Sequence, residues 1–290
     1  MSALFECVHG KSTPGNRAVR RVRTTAVVLL AALAFAGCRT ATEPITGRPQ
    51  FIITSPGNEA RMGLSAWQEI LKEENVNRDP AYNNALQRVG TALSQAVDRP
   101  EYEWAFRVLE DDQANAFCLP GGKIAVYTGL FDYVRNDAEL AAVVGHEIAH
   151  ATARHGGERM SHAMLQNLGA LGLSAALGSA AEEERARWMA AYAGLTTVGV
   201  VLPYSRTHEY SADEIGLMYM AEAGYDPGAA LDFWKRFAEG KPSGAIAEFL
   251  STHPVGENRI ARLRQQMPRA RMLYENAPVK RGYGRTLPGR

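Results

Sequence analysis

The sequence has few cysteines, no excess of one charge and no long apolar run. Among its 290 residues only Cys7, Cys38 and Cys118 are cysteines, too few and too widely spaced for a disulfide scaffold or a cysteine-based zinc finger. Lys and Arg number 32 against 31 Asp and Glu, so we predict no nucleic-acid partner, which would require a clustered basic excess. The hydrophobic content of 46% is that of an ordinary globular protein.

The N-terminal segment, residues 1–37, has the pattern of a secretory signal. Basic residues between Lys11 and Arg23 precede the apolar run AVVLLAALAFA, which ends at Gly37 and Cys38. A charged region, a short apolar region and small residues at the cleavage point are typical of such a signal, and the run is short for spanning a bilayer. We therefore predict a signal peptide over residues 1–37 and a protein body outside the cytoplasm.

The segment FAGC, which ends at Cys38, resembles a bacterial lipobox, in which cleavage before the cysteine is coupled to lipidation of its sulfur. Phe35 stands where leucine is usual. The next residue is Arg39 and not Asp, which in lipoproteins of Gram-negative type implies sorting to the outer membrane. We therefore predict a lipid anchor at Cys38. An uncleaved anchor helix and a plain secretory signal are the alternatives.

Beyond a tether over residues 38–56, rich in Pro, Gly and Thr, the order of the predicted elements indicates an α+β fold. The domain, over residues 57–266, should be mainly helical with a small β-sheet that exposes an edge. The predicted helices span residues 58–75, 80–97, 136–155, 206–223, 227–239 and 257–266, and the predicted edge strands span 113–118 and 123–127, after a β-like stretch at 102–110. Residues 267–290 should form a flexible tail.

The segment HEIAH, residues 146–150, carries the most informative pattern. Positions i and i+4 share one face of a helix, so His146 and His150 can reach one metal ion. Glu147 then lies beside the open coordination position, where it can take a proton from water and pass it to a leaving amine. Asn136 and Glu139 form a capping-box pattern at the start of this helix. The segment therefore predicts a catalytic zinc site.

Catalytic zinc needs a third protein ligand. The metzincin arrangement fails, because Ala153 and Gly156 stand where it requires Gly and His. His155 and His162 lie at or beyond the end of the helix, and we expect both to be exposed to solvent.

A third candidate for this ligand lies downstream, in the segment SRTHEYSADEIG. Glu209 and Asp213 are spaced i, i+4 on a predicted helix. One can bind the metal while the other accepts a hydrogen bond from a ligand imidazole. Two solvated carboxylates are the alternative.

HEIAH followed by SRTHEYSAD resembles the zinc-peptidase family of HtpX, the CAAX prenyl proteases and the bacterial lipoprotein proteases BepA and LoiP. That family pairs HExxH with a downstream ExxxD. Three more segments resemble parts of it in the expected order: PITGRPQFIITS, NAFCLPGGKIAVYTGL, in which Ala is more usual than Cys118, and STHPVGENRIARL. The resemblance covers residues 43–265 with gaps.

The resemblance implies a role for each matching residue. His146, His150 and Glu209 become the ligands of one zinc ion per chain, Glu147 the general base and Asp213 the partner of a ligand imidazole. The edge-strand segment would bind the substrate backbone as an added β-strand, since an exposed edge offers unpaired backbone groups; it comprises Asn115, Ala116, Phe117, Cys118 and Leu119. A plain hairpin is the alternative for this segment.

His253 has three interpretations. The resemblance places a histidine here close to the metal, where it can donate to the oxyanion formed on attack, or fill the open position and keep the enzyme latent. A histidine in a surface turn before Pro254 is the third. Arg206 and Arg259 can stabilise charge or brace helices, and we expect bracing.

The apolar stretch over residues 161–203 is interrupted by Gln166, Asn167 and the charged run EEERAR. In multi-pass relatives of the family this region contains membrane spans. Here we expect a pair of helices that flank the cleft as a mobile lid near lipid.

These features together predict a membrane-tethered zinc-dependent endopeptidase of the bacterial periplasm, anchored through Cys38 to the outer membrane. Its expected substrates are unfolded or misassembled envelope proteins, because pairing with an edge strand requires an extended chain, and the outer-membrane assembly machinery is a candidate partner. The alternative is a chaperone or assembly factor with little proteolysis, although a pure binder does not need Glu147. A structural zinc protein is disfavoured by the lack of a cysteine cluster.

Overall fold

The computed structural model describes residues 41–43, 45–197, 202–239, 249, 253–254 and 257–287. The predicted signal peptide and the anchor at Cys38 lie outside these ranges. Within them the chain forms eight α-helices and five β-strands, so the prediction of a mainly helical α+β fold is confirmed. The helices are α1 (Pro56–Glu73), α2 (Pro80–Ala96), α3 (Asp137–Thr152), α4 (His155–Ala176), α5 (Glu182–Thr196), α6 (Leu202–Glu222), α7 (Gly228–Glu239) and α8 (Glu257–Asn276). The strands are β1 (Ala41–Thr42), β2 (Pro49–Gln50), β3 (Ala105–Leu109), β4 (Ala116–Leu119) and β5 (Lys123–Tyr127).

The chain divides into two compact units, and the described part of the smaller one is residues 163–197. This unit contains most of α4 and all of α5, joined by a hydrogen bond from the Tyr192 hydroxyl to the Gln166 carbonyl. The pair of helices expected in this region is therefore present, whereas the lid and the lipid contact stay predictions. No helix among the described residues is both long and apolar enough to cross a membrane.

Helices α1 and α2 begin at capping residues. The Ser55 hydroxyl accepts a hydrogen bond from the Asn58 N–H, and the Asp79 carboxylate accepts one from the Ala81 N–H. Each cap is followed by proline, whose missing N–H costs nothing in the first turn of a helix. Both helices lie within two residues of their predicted bounds.

The central sheet has the strand order β3-β5-β4, with β5 parallel to β3 and antiparallel to β4. Strand β4 is at one edge, as predicted. Strand β5, which is also predicted at an edge, is instead the middle strand. Its residues Ile124, Ala125 and Val126 are fully buried, which is typical of a strand covered on both faces.

Helix α3 lies at the centre of the larger unit, and all of its residues are buried. The Asn136 side chain accepts a hydrogen bond from the Glu139 N–H, as the capping pattern predicts, while the Glu139 carboxylate accepts from the Arg135 N–H. The helix ends at Thr152, three residues before its predicted end. The chain turns there because Arg154 adopts a left-handed conformation, with φ of 56°.

Helices α3 and α6 cross at two glycines, Gly145 and Gly216. A Cβ atom added at Gly216 would lie 2.7 Å from the backbone nitrogen of His146, and one added at Gly145 would lie 3.1 Å from the Gly216 carbonyl oxygen. Only glycine permits this approach of the two backbones. The crossing brings the HEIAH residues of α3 next to the carboxylates of α6.

The structure differs from the predicted tether over residues 38–56, because its described part is packed onto the domain. Strands β1 and β2 pair as a short hairpin, and Glu43 between them is fully buried. The Gln50 side chain donates a hydrogen bond to the carbonyl of Ala153. The composition rich in Pro, Gly and Thr therefore marks a turn-rich folded segment.

The structure also differs from the flexible tail predicted from residue 267. Helix α8 continues through Pro268 to Asn276, with Ala270 fully buried. Beyond it, Thr286 forms a β-bridge with Asn136, and Leu287 is buried. This packing holds the segment in spite of its Arg, Pro and Gly content.

Candidate metal centre

Four side chains bring donor atoms together within 4.8 Å of one another: His146, His150, Glu209 and His253. The Nε2 atoms of His146 and His150 are 3.1 Å apart. Glu209 places Oε2 at 3.4 Å from His146 Nε2 and Oε1 at 3.3 Å from His150 Nε2. The predicted pairing of HExxH with a carboxylate on α6 therefore exists in the structure.

This donor set fits a zinc ion. Atoms about 2.0–2.1 Å from a tetrahedral zinc lie about 3.3–3.4 Å from each other, close to the separations between these nitrogens and oxygens. Although burial acts to lower it, hydrogen bonds to Asp213 and Glu209 raise the pKa of His146 to about 9. Glu209 and Asp213 therefore favour positive charge at His146, which a dication supplies. Burial, by contrast, lowers the pKa of His150 well below its ordinary value.

His146 has a carboxylate behind it. Its Nδ1 lies 3.1 Å from Oδ1 of Asp213, the carboxylate for which we predict a role as partner of a ligand imidazole. Arg259 of α8 donates to both oxygens of Asp213, at 2.7 and 2.6 Å, and places Nη1 3.1 Å from Glu209 Oε2. Arg259 thus links α8 to α6, which agrees with a bracing role, whereas Arg206 is exposed.

Glu147 lies beside the cluster and is buried. Its Oε1 has no hydrogen-bond partner among the residues that the structure describes, and His253 Nε2 lies 3.6 Å from it. Burial raises the pKa of Glu147 above its ordinary value, although His253 and His146 act to lower it. A buried carboxylate oxygen without a partner is available for a proton of a ligand or of water.

His253 belongs to the cluster and is half-buried. Its Nδ1 lies 3.1 Å from Glu209 Oε2 and 3.3 Å from His146 Nε2. The ring also stands 4.7 Å from the ring of Phe249. The interpretation as a solvated turn residue does not agree with these contacts.

The structure overturns the expectation that His155 is exposed, because this residue is fully buried. Its Nδ1 lies 2.9 Å from His150 Nδ1, and its Nε2 lies 3.0 Å from Oε1 of Glu43. The turn at Arg154 folds the first residue of α4 back onto α3, and the helical spacing of HEIAH gives no sign of it. His162, expected to be exposed, is half-buried beside Phe51.

The sequence assigned no role to Glu43, and it placed His155 among the exposed histidines and not behind His150. The segment that contains Glu43 carries one available signal, its resemblance to the opening segment of the lipoprotein branch. The resemblance does not indicate that Glu43 contacts His155, because these two residues are 112 positions apart in the sequence.

Strand β4 contains four of the five predicted substrate-binding residues, and Asn115 directly precedes it. Helix α3 packs against this strand. Burial raises the pKa of the Cys118 thiol well above its ordinary value, and the charge of Glu147 raises it further. The edge strand therefore packs on the helix that contains Glu147.

Comparison with known proteins agrees with this geometry. The model of peptidase family M48 matches residues 80–267, more than half of the chain. The chain belongs to peptidase family M48. M48 peptidases use zinc, so the predicted cofactor and the predicted class of metalloendopeptidase are confirmed at the level of the family.

Three M48 relatives show the range of similarity. The chain is 33% identical over 239 residues to mitochondrial metalloendopeptidase OMA1 of Schizosaccharomyces pombe, covering 81% of this chain and 68% of that protein. It is 35% identical over 213 residues to mitochondrial metalloendopeptidase OMA1 of Arabidopsis thaliana, covering 72% and 41%. It is 32% identical over 214 residues to the putative beta-barrel assembly-enhancing protease of Vibrio cholerae, covering 69% and 42%. The chain thus spans about two thirds of the first relative and less than half of the other two.

Proposed function

We propose that this chain is a zinc-dependent endopeptidase that hydrolyses peptide bonds of unfolded or misassembled envelope proteins. The observation that carries the proposal is the convergence of His146, His150 and Glu209 beside Glu147, whose Oε1 has no partner among the described residues. The first three residues would hold one zinc ion. Zinc, when bound, supplies a Lewis acid that polarises a carbonyl and lowers the pKa of water.

Glu147 would act as the general base and then as the general acid. Its Oε1 takes a proton from the attacking water and passes it to the nitrogen of the leaving amine. Because burial raises the pKa of this carboxyl, both the ionised and the protonated form are accessible nearer to neutral pH.

Strand β4 would hold the substrate. An extended chain that adds to this edge forms backbone hydrogen bonds whatever its side chains, so the site would accept many sequences but only unfolded ones. The relative from Vibrio cholerae is named for enhancing beta-barrel assembly. By analogy with that relative, the outer-membrane assembly machinery is a candidate partner of this chain.

The proposed location is the periplasmic face of a bacterial outer membrane, reached through lipidated Cys38. The support is the pattern of residues 1–38, in which a basic region, a short apolar run and FAGC follow one another. Relatives with mitochondrial names also occur among the M48 proteins, so the membrane attachment requires a test of its own.

The proteolytic function is tested by the substitution Glu147→Gln, which keeps the size of the side chain but removes the base. We expect the variant to keep its zinc and to lose cleavage of an unfolded protein such as casein by at least about 100-fold. Equal cleavage by the variant and the wild type would contradict the proposed mechanism.

The alternative function, a chaperone or assembly factor with little proteolysis, uses the same edge strand. A knockout strain that expresses the Glu147→Gln variant distinguishes the two. The protease proposal expects the variant to fail to restore the strain. Full rescue would favour the chaperone.

A further inference from the structure

Buried side chains connect the N-terminal hairpin of β1 and β2 to the metal cluster by hydrogen bonds. His150 Nδ1 lies 2.9 Å from His155 Nδ1, and His155 Nε2 lies 3.0 Å from Oε1 of Glu43. Glu43 and His155 are both fully buried. Neither belongs to the four donor residues, and Glu43 lies before residue 80, where the match to the M48 model begins.

The hydrogen bonds from His150 through His155 to Glu43 allow only one assignment of donors and acceptors. The Nε2 atom of His150 faces His146 and Glu209, so Nε2 is the nitrogen that meets the metal, and the proton of the neutral ring lies on Nδ1. His155 Nδ1 must then accept this proton in a hydrogen bond. The proton of His155 therefore lies on Nε2, from which it is donated to Glu43.

Glu43 is fixed as the final acceptor by its other partners. The hydroxyls of Ser211 and Thr46 donate to its Oε2, and the Arg48 guanidinium donates to its Oε1 at 3.2 Å. A carboxylate that receives these donors has only acceptor positions to offer His155.

The ring of His155 is held in place from two sides. Arg154 keeps its left-handed backbone because its guanidinium donates to both oxygens of Glu59, at 3.0 and 2.7 Å, and this turn directs His155 toward His150. On its face, His155 stacks on His208 with ring centroids 4.3 Å apart. The contacts of Arg154 and His208 therefore fix both the backbone and the ring of His155.

We propose that Glu43 and His155 are positioning residues that fix the tautomer and the orientation of His150, so that the N-terminal hairpin is a working part of the metal centre. The inference rests on the proposed function, in which His150 is a zinc ligand. On His146 the corresponding nitrogen, Nδ1, lies 3.1 Å from the carboxylate of Asp213, with no residue between them. His150 is connected to a carboxylate, that of Glu43, through one intervening imidazole.

The test is the zinc affinity of the full chain, measured by competition with a chelator. Glu43→Gln weakens the last acceptor, and His155→Phe keeps a ring on His208 but removes both nitrogens. We expect each substitution to raise the Kd for zinc by about 10–100-fold. Glu139→Gln is the matched control, because Glu139 is also a buried carboxylate that pairs with an arginine, Arg236, and its described partners include none of Glu43, His155 and His208. We expect its Kd to equal that of the wild type.

A second measurement separates positioning from general support of the fold. The melting temperature is determined for each variant with and without zinc, together with its circular dichroism. If a residue positions His150, its substitution reduces the rise in melting temperature that zinc produces. If the residue only supports the fold, its substitution lowers the melting temperature equally with and without zinc. If His155→Phe does not fold, the isosteric Glu43→Gln decides.

Folded Glu43→Gln that binds zinc as tightly as the wild type would overturn the inference, as would an equal loss of affinity in Glu139→Gln. Either result leaves the proposed peptidase intact. A wild-type chain that binds no zinc would overturn the proposed function as well.

Discussion

Single residues at the site differ in what surrounds them, and the difference indicates their chemistry. Asp213 is a buried carboxylate that forms an ion pair with Arg259 and faces the imidazole of His146. Glu147 has one oxygen without a partner among the described residues, which leaves it available for proton transfer. A buried carboxylate therefore carries a structural role in Asp213 and a proposed catalytic role in Glu147.

We predict that His253→Ala raises proteolysis of an unfolded substrate while zinc is retained. The reason is that His253 Nδ1 lies 3.1 Å from Glu209 Oε2, among the donor atoms, so this imidazole competes for the position that water requires. Cleavage rate and zinc content are measured side by side. A fall in cleavage with zinc retained would contradict latency and favour donation to the oxyanion.

Glu158 should contribute stability that is lost in acid. Burial alone would raise its pKa, but hydrogen bonds from His208 and Arg48 lower it to about 2, against an ordinary value of 4.5. A lowered pKa stabilises the fold above pH 4.5, and this stabilisation is lost as the pH falls toward 2.

Between pH 7 and pH 3 we expect the free energy of unfolding to fall by about 2 kcal/mol more in the wild type than in Glu158→Gln, measured by urea denaturation. The same dependence on pH in both proteins would show that Glu158 is not the titrating group.

The residues of the candidate site were predictable only where local spacing brings them together. The i, i+4 rule predicts that His146 and His150 share a face, and likewise Glu209 and Asp213. The meeting of the two pairs came from the family resemblance. The contact between Glu43 and His155 depends on a turn at Arg154 that no periodicity encodes, because a left-handed arginine has no sequence signal of its own.

Among the structural elements, the crossing of α3 and α6 positions the site. Its closest point is Gly216 against the backbone of His146, directly beside the donor atoms. The separation of these two helices therefore sets the distance between the imidazoles and Glu209. A change at the crossing should affect the metal without touching a ligand.

We predict that Gly216→Ala destabilises the fold by about 1–3 kcal/mol and weakens zinc binding, since the added methyl group must push the two helices apart. Urea denaturation and chelator competition measure the two effects. Gly156→Ala in α4 is the matched control, because a Cβ atom there meets nothing within 4 Å. It should leave zinc binding unchanged, and equal effects of the two substitutions would contradict the account.

Elements defined by their own periodicity and caps were predicted closely, as α1 and α2 show. Elements defined by distant partners were not. Strand β5 is central because it pairs with β3 in parallel as well as with β4, and the sequence of β5 does not specify the pairing with β3. The tail is ordered because α8 continues past Pro268 and its buried Ala270 packs on the domain, although proline usually ends a helix.

At the scale of the whole molecule, the N-terminal part of the chain links the proposed anchor to the metal centre. Glu43 lies only five positions after Cys38, and its carboxylate is part of the buried network behind His150. The predicted peptidase domain over residues 57–266 therefore omits residues that the folded unit uses. A lipid at Cys38, as proposed, would hold the folded unit close to the membrane surface, because only four residues separate Cys38 from Glu43.

We predict that Cys38→Ser releases the protein from the membrane fraction of the cells that produce it, because the serine hydroxyl cannot replace the thiol as the site of lipidation. Cys118→Ser is the control and should stay in the membrane fraction. Fractionation followed by immunodetection measures both. Retention of the Cys38→Ser variant would contradict a lipid anchor and favour an uncleaved helix.

The zinc content of the purified chain tests the central claim most directly. We predict one zinc ion per wild-type chain and its loss in Glu209→Gln, in which a neutral amide replaces the carboxylate that faces both imidazoles. Wild-type protein that is folded but carries no zinc, or Glu209→Gln that keeps a full equivalent, would contradict the assignment of His146, His150 and Glu209 as the metal centre.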